Sequence, residues 1–532
     1  MSRPRIARPL ASIALGAAIG MAAVPARAAD EVPADLARLR LDDGRHPFDL
    51  PSADAISVES HGEAQLRAER WTELPLQPPA SDPSLRSLGQ RSFGTDWVRV
   101  NGRASYRDRV QLVAQLDVAP NWIIGDLAQG IHADRAFAQD ESVPAAVRLR
   151  YLYLDVATGI GSFRLGQVGS HWGMGILTND GDHPSLFGDY RNGALVERAA
   201  FTTRPLGARS PLVVSIAADA IWQDAISRWS DGDRAYEGVA TIAWDREPTF
   251  VGLWAARRNS QVRAFGNDGN LDVWELDATA RHAASLGVDD AFLYAEAEAA
   301  TLLGRTDAVR VVPDVPSSDV RSYGFAARVG IVKRASARGV EFGRFDLDVE
   351  AGFASGDGNP YDATLKRFTF DPNHVVGLVM FPFVMRAQTA RAATNAMDPA
   401  LGARPSPGAF LDATHGGVAG AQYLYPTIVV RPDPRFDLKL GALVAMATSD
   451  FVDPYVTMLQ GSARNARGGD ARSRDLGLEL DWGFEWRAPL GDATLQLGLQ
   501  QGILLPGHAF DDASGRSMPW QSVTEGRVGL QY

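Results

Sequence analysis

DLGLELDWGFEW, residues 475–486, alternates without a break. Leu476, Leu478, Leu480, Trp482, Phe484 and Trp486 share one face of an extended chain. Asp475, Gly477, Glu479, Asp481, Gly483 and Glu485 share the other. A helix would scatter both sets around its surface. FDLDVEAGF, residues 345–353, repeats the pattern: Phe345, Leu347, Val349, Ala351 and Phe353 oppose Asp346, Asp348, Glu350 and Gly352. A period of two with one wet face is the pattern of a half-buried strand.

Working outward in both directions, the same period recurs along the chain. Strands are predicted at residues 56–69, 97–105, 110–118, 147–156, 162–172, 194–202, 212–222, 236–244 and 249–257. They continue at 271–282, 291–301, 321–333, 342–354, 421–430, 436–446, 475–486, 493–503 and at the closing segment 521–532. Residues 56–69 are the least regular of these. Short turns are expected at 158–159, 205–210, 245–248, 431–435 and 488–492. Long polar loops are expected at 178–192, 223–235, 306–319 and 452–474. Short turns at one end and long loops at the other are the asymmetry of a transmembrane antiparallel β-barrel, here of about 18 strands. The expected fold is therefore all-β, with short periplasmic turns and long extracellular loops. Trp97, Tyr151, Tyr153, Trp222, Tyr236, Trp244, Trp482 and Trp486 fall near strand ends or on outward faces, as interfacial girdles would.

Composition agrees. There is no cysteine, so the fold is expected to be held by strand ladders and not by disulfides. Beyond the N-terminal segment, no run approaches the ~20 apolar residues of a spanning helix. The formal net charge of −11 argues against a nucleic-acid partner. At the N-terminus, Arg3, Arg5 and Arg8 precede an apolar run at residues 10–24, and Ala26-Arg27-Ala28 follows as a small-x-small site. Residues 1–28 are expected to be a signal peptide, 29–55 a periplasmic tail and 56–532 an outer-membrane barrel. Loss of the four arginines of the leader (Arg3, Arg5, Arg8 and Arg27) takes the charge from −11 to −15.

Alternation assigns a set of charges to the lumen. Early strands contribute Arg99, Arg103, Arg148, Arg150, Arg164 and Arg198. Later strands contribute Glu275, Asp277, Glu296, Glu298, Asp346, Asp348, Glu350, Glu479, Asp481 and Glu485. A basic wall facing an acidic one would set a transverse field across a pore. The alternative is local pairing, of which Arg344 beside Asp346 is a candidate.

Two loops stand apart. SHWGMGILTNDGDHPSLFGDYRNG, residues 170–193, is rich in glycine and in the oxygen donors Asn179, Asp180, Asp182 and Asp189, and is a candidate constriction. Its spacing matches no EF-hand-like loop, and the nine histidines show no metal-ligand cluster, so neither metal nor cofactor is expected. Ser170, His171 and Asp180 lack a nucleophile motif such as G-x-S-x-G, so no enzyme is expected. Residues 355–417 are far longer than an ordinary connection and hold an apolar run at 375–384. That run is expected to pack into the barrel mouth or form a short helix above it, as gate, plug or mere cover.

The closing segment QSVTEGRVGLQY, residues 521–532, places Val528 and Leu530 on one face and ends on the aromatic Tyr532. It resembles the terminal signature of outer-membrane barrels, which the barrel-insertion machinery reads. GQVGSHWGMGILTNDGD (166–182) and QLVAQLDVAPNWIIGD (111–126) resemble a porin-like family of Gram-negative outer-membrane β-barrels. ASGDGNP (354–360) and FDPNHVVGLVMF (370–381) are similar to the alginate-export type. The resemblance implies a channel for passive diffusion of small hydrophilic or charged solutes, with outer-membrane lipids and the insertion machinery as partners. An anionic-polysaccharide exporter implies a basic pore, whereas this chain offers a basic and an acidic wall. A plugged structural or adhesive surface barrel is the further alternative.

Overall fold

In the computed structural model, the strands pair edge to edge until the last meets the first. It describes residues 56–78, 84, 86–107, 109–125, 147–188, 193–264, 267–287, 290–308, 316–337, 340–397 and 412–532. The expected signal peptide and tail, residues 1–55, lie outside the described residues, as does Asp189. The strands are β1 (Ile56–Trp71), β2 (Arg91–Tyr106), β3 (Val110–Gly125), β4 (Val147–Thr158), β5 (Gly161–Gly169) and β6 (Leu195–Thr203). Then come β7 (Leu212–Gln223), β8 (Arg234–Arg246), β9 (Thr249–Ala264), β10 (Asn267–Ser285), β11 (Ala291–Thr306), β12 (Ser318–Ala337) and β13 (Val340–Ala354). β14 (Thr364–Leu365), β15 (Ala421–Asp433), β16 (Phe436–Ala447), β17 (Asp475–Leu490), β18 (Ala493–Pro506) and β19 (Gln521–Gln531) complete the set.

Among the described residues, all belong to one 19-stranded sheet. The two-residue β14 is a parallel bridge on β12, made inside a loop. The other eighteen strands run antiparallel to their neighbours, and β1 pairs with both β2 and β19, which closes the barrel. Closure leaves no strand edge unpaired, as a spanning sheet requires. The seam is tight: Tyr532 donates its N–H to the Gly62 carbonyl at 3.0 Å, and Gly62 returns one at 3.1 Å. β1, the least regular segment by sequence, is thus the strand that closes the ring.

The faces are inverted relative to a soluble sandwich. Leu66, Leu253 and Leu440 are 62 %, 55 % and 57 % exposed on the outer face, whereas Arg99 and Glu479 are 4 % and 0 % exposed inside. Trp222, Tyr236 and Tyr323 are exposed near the long-loop end, and Trp244 and Tyr106 near the short-turn end. Three aromatics depart from the expected girdles. Trp97 is buried and stacks under Arg99, whose guanidinium carbon lies 4.3 Å from the ring centroid. Alternation with the inward Arg99, unbroken against β1, places it on the inner face. A register shift between Gln115 and Leu116, opposite Arg150 and Tyr151, turns Tyr151 inward, where it reaches Asp182 at 2.6 Å. Tyr153 follows and lies under Arg164. A bulge inverts the face of every residue beyond it until the register is restored.

The connectors keep the expected asymmetry. One end carries short links such as 159–160, 247–248, 434–435 and 491–492; the other carries 170–194, 355–420 and 448–474. One connection at the long-loop end is short, because β9 and β10 extend well past the expected limits into a hairpin. The apolar run 375–384 packs inside the barrel. Its residues 380–385 form a π-helical turn, Met380–Met385, that leads into α1 (Arg386–Met397). Phe368, Phe370, Val379, Phe381 and Val384 are fully buried there, with Leu443, Leu476 and Leu504 from the wall. A smaller helix, α2 (Pro454–Gln460), is capped by Asp453, which accepts from Val456 N.

Candidate functional site in the barrel lumen

Two loops enter the lumen, and wall carboxylates hold both. Gly173 has φ +60° and sits against Glu298, whose Oε1 accepts from Ile176 N at 3.1 Å. Gly377 has φ +69°, and a Cβ there would lie 2.7 Å from Glu479 Oε1. Glu479 then accepts from Leu378, Val379 and Met380 N–H at 2.5, 2.7 and 2.6 Å. In each loop a glycine in the left-handed region lets the backbone press onto a buried carboxylate, and the following amides donate to it. Successive N–H groups in such a turn form an anion-binding nest.

The sixteen expected lumen residues are placed as follows. Asp277 accepts from Trp172 Nε1 at 3.0 Å, so the first loop touches two adjacent strands. Glu350 accepts from Arg328 Nε at 3.0 Å, His374 Nε2 at 3.0 Å and Tyr423 OH at 2.5 Å. Asp481 accepts from Tyr425 OH at 2.7 Å. Nearer the short-turn end, Glu296 accepts from Arg328 at 2.9 Å, and Tyr294 OH reaches Asp346 and Asp348 at 3.3 Å each. Glu485 meets Arg527 at 3.0 Å and Lys439 at 3.5 Å. Glu275 is buried on the cavity wall beside Arg258 and Glu237.

The arginines sit against carboxylates of neighbouring strands. Arg99 forks onto Asp117 at 2.7 and 3.1 Å and reaches Asp182 at 2.6 Å. Arg164 forks onto Asp155 at 2.8 Å through both nitrogens, and Arg198 onto Asp219 at 2.9 and 2.7 Å. Arg103 pairs with Glu59, and Arg148 stands opposite Asp117 in register. Arg150, 0 % exposed, bonds Gln115 Oε1 at 2.9 Å, the Asp180 carbonyl at 2.6 Å and the Asp182 carboxylate. The basic wall is therefore locally compensated, as the local-pairing reading has it, whereas Asp277, Glu298, Glu479 and Asp481 are met by indole, backbone or phenol donors. Arg99 and Arg150 hold residues 180–182 of the first loop and Arg198 its Ser170, while Asp277 and Glu298 hold residues 172–176.

Several residues that matter here were not among the expected ones. Asp117, Asp155 and Asp219 complete the arginine pairs, and Arg328 joins Glu296 to Glu350, while Asp182, an oxygen donor already expected in the loop, ties it to Arg99 and Arg150. His374 links three elements: its Nδ1 faces the Met174 carbonyl at 2.9 Å and its Nε2 faces Glu350. Burial opposes its charge, but the Glu350 carboxylate beside it holds the imidazole above its ordinary range. His171, Asp180 and His183, which the sequence reading did not group, come together with ligand atoms within 4.8 Å of one another. Ser170 Oγ accepts from Arg198 at 3.2 Å.

Above the first loop, on the long-loop side, lies a cavity of about 510 Å³. Asp224, Glu237, Arg258, Glu275, Tyr361 and Asp371 are among its lining. Arg258 bridges Asp224 at 2.6 Å and Glu237 at 3.4 Å. Burial pushes the Asp371 carboxyl up to about 7.

A closed antiparallel barrel with charged inner walls and two loops folded into its lumen is the class that these features define. Among solved structures, the chain is similar to Pseudomonas aeruginosa OccK2 (OpdF) in complex with glucuronate. Identity is 10 %, coverage 89 % of this chain and 97 % of that one, and the TM-score 0.46. It is also similar to OpdK of the same organism with vanillate, at 9 % identity, 89 % and 98 % coverage and TM-score 0.46. With OccK5 (OpdH) of that organism the figures are 10 %, 89 %, 97 % and 0.43. Likenesses of this degree carry no argument about what this chain does. No family model matches, so neither family resemblance read from short segments gains support from one, and no curated protein matches.

Proposed function

We propose that this chain is an outer-membrane channel through which small hydrophilic or charged solutes diffuse. One observation carries the reading: a closed barrel, apolar outside, has a charged lumen narrowed by two anchored loops that leave a cavity of about 510 Å³. The belt of exposed leucine, isoleucine and valine matches the hydrocarbon layer, with aromatics toward both ends. The short turns and both barrel ends of the chain then face the periplasm, and the long loops face outward. Outer-membrane lipids are the surrounding partner, and β19 with Tyr532 is the segment that the insertion machinery reads. Residues 1–28 serve as the signal peptide and 29–55 as a periplasmic tail.

A cavity of this size suits a small solute. A polymer would need a continuous bore and, for an anionic polysaccharide, uncompensated arginines at its narrowest point, whereas these arginines carry carboxylate partners. More carboxylates than arginines line the cavity, so a preference for cations is expected. The Ser170–His171 pair supports no hydrolase, since Ser170 Oγ is engaged by Arg198. The buried run at residues 375–384 favours one second reading, a plugged surface barrel.

Planar-bilayer recording of the refolded protein, with reversal potentials in a salt gradient, separates these. Discrete conductance steps with cation selectivity are expected. A folded, inserted barrel with no conductance and no solute uptake in liposome swelling would overturn the channel reading and favour the plug. Anion selectivity would revive the exporter.

A further inference from the structure

We propose that His171, Asp180 and His183 form a binding site for one borderline divalent metal ion, of the zinc, nickel or copper kind, on the first in-folded loop. His171 precedes the local Asp180–His183 pair in the loop, yet the ligand atoms of all three lie within 4.8 Å of one another. His183 Nδ1 and Asp180 Oδ1 are 3.1 Å apart. Two donors of one tetrahedral zinc, each bonded at about 2.0–2.1 Å, stand roughly that far apart. A metal can therefore take the place of the proton between them with little movement. The two imidazole rings stack at 4.0 Å between centroids and 26° between planes. A rotation of His171 toward Asp180 brings in the third donor.

The carboxylate is held in place for this. Asp180 Oδ1 accepts from Asp182 N at 2.9 Å, its Oδ2 faces Tyr151 OH at 3.3 Å, and its carbonyl is gripped by Arg150 at 2.6 Å. Such outer contacts orient a ligand before metal arrives. Asp180 is buried, while both histidines are half-buried, so an ion has a way in from the lumen. Two nitrogens and one oxygen suit borderline transition ions, whereas calcium and magnesium prefer all-oxygen sites. A bound ion closes residues 171 to 183 on themselves and adds positive charge beside the constriction. The site is a property of the folded chain and does not depend on the channel reading.

The test is zinc titration of the untagged, refolded full chain, by calorimetry and by competition with a chromophoric chelator. One equivalent of Zn²⁺ should bind saturably, and millimolar Ca²⁺ should not displace it. His171→Gln and His183→Gln should each weaken binding more than about ten-fold, since even outer contacts of a metal site are worth about 10–100-fold. Asp180→Asn should do the same, and His508→Gln at the long-loop rim should not. Heat-modifiable migration in detergent gels reports whether each variant is folded. Absence of saturable zinc binding by the folded wild type, or binding unchanged in both folded histidine variants, would overturn the site.

Discussion

Replacing Glu479 by glutamine isolates the anchor of the second loop. The change is isosteric, but it removes the charge and turns one acceptor oxygen into an NH₂ donor. In the wild type Oε1 takes two backbone N–H groups, from Leu378 and Val379, and Oε2 takes one, from Met380. The better amide orientation keeps the first two as neutral bonds and sets NH₂ against Met380 N–H. Bonds to a charged group are worth about 1.5–3 kcal/mol each, and a buried donor left unsatisfied costs about 1–3 kcal/mol. The net cost is about 2–4 kcal/mol, or about thirty- to several-hundred-fold in the opening equilibrium of the loop. The barrel ladder is untouched, so the loss stays local. Arg386 and Arg391 lie just beyond the anchor, 6 % and 3 % exposed, and trypsin reaches them only when the segment opens. When reclosing is faster than cleavage, nicking tracks that equilibrium. Initial trypsin rates in detergent, with cleavage sites mapped by mass spectrometry, should rise by that factor in Glu479→Gln. They should stay unchanged in Glu485→Gln, whose partners lie at the short-turn end. A folded Glu479→Gln barrel nicked within about threefold of wild type would refute the anchoring argument.

Other outcomes follow from the same contacts. His374 is held above its ordinary pKa of about 6.5, so its charge supports the loops fully below that value and is lost as pH rises above it. Arg328 and Tyr423 share the Glu350 carboxylate that faces it, and the Phe370 ring packs at its edge. Trypsin nicking at the residues flanking His374, divided at each pH by the rate on an unfolded reference substrate, should therefore grow as pH rises above 6.5 in wild type and not in His374→Gln; a normalised wild-type profile parallel to that of the variant would disprove it. Arg150→Met should remove the bonds to the Asp180 carbonyl and the Asp182 carboxylate and loosen the first loop, at a cost below the about 3–5 kcal/mol of a fully broken buried pair because Arg99 and Tyr151 still hold Asp182, seen as a larger single-channel conductance. An unchanged conductance in a folded variant counts against that loop as the constriction. Gly62→Val should drive a side chain into the Tyr532 ring at the seam and lower the refolded, heat-modifiable fraction. Equal refolding yields would show that the seam tolerates it.

How far the fold was legible depends on what each feature needs. A strand needs only its own alternation, and all eighteen barrel strands lie where residues such as Leu476 to Trp486 and Phe345 to Phe353 alternate. A face needs an unbroken register, and Tyr151 and Tyr153 escaped because the shift next to Gln115 inverts it, whereas Trp97 simply shares the inward face of Arg99. The charge pairs need one further step, which the sequence permits only beside a tight turn. A short turn sets which residues stand opposite. The link at 159–160 puts Arg164 across from Asp155, whereas Arg198 meets Asp219 across a longer link whose first paired residues are Thr203 and Val214, and Arg328 meets Glu350 only beyond a register shift at Lys333 and Arg334. Counting back finds the pair beside a tight turn, and a longer link or a bulge hides the others.

The loop anchors are beyond such counting. Glu479 and Ile176-facing Glu298 look like any inward glutamates, and their partners are backbone amides whose identity no side chain reveals. What sequence shows is the other half of the contact, a glycine followed by apolar residues, in GMGI at 173–176 and GLVM at 377–380. A glycine-led apolar run in a long barrel loop has no reason to face water. It must enter the lumen, and once there its amides need acceptors that water no longer supplies. Buried inner-wall carboxylates are the acceptors on hand, and this chain uses them at Glu298 and Glu479. An acidic inner wall in such a barrel is thus first a fastening for loops. Only the carboxylates left facing the cavity, among them Glu275, would remain to act on a solute in the proposed channel.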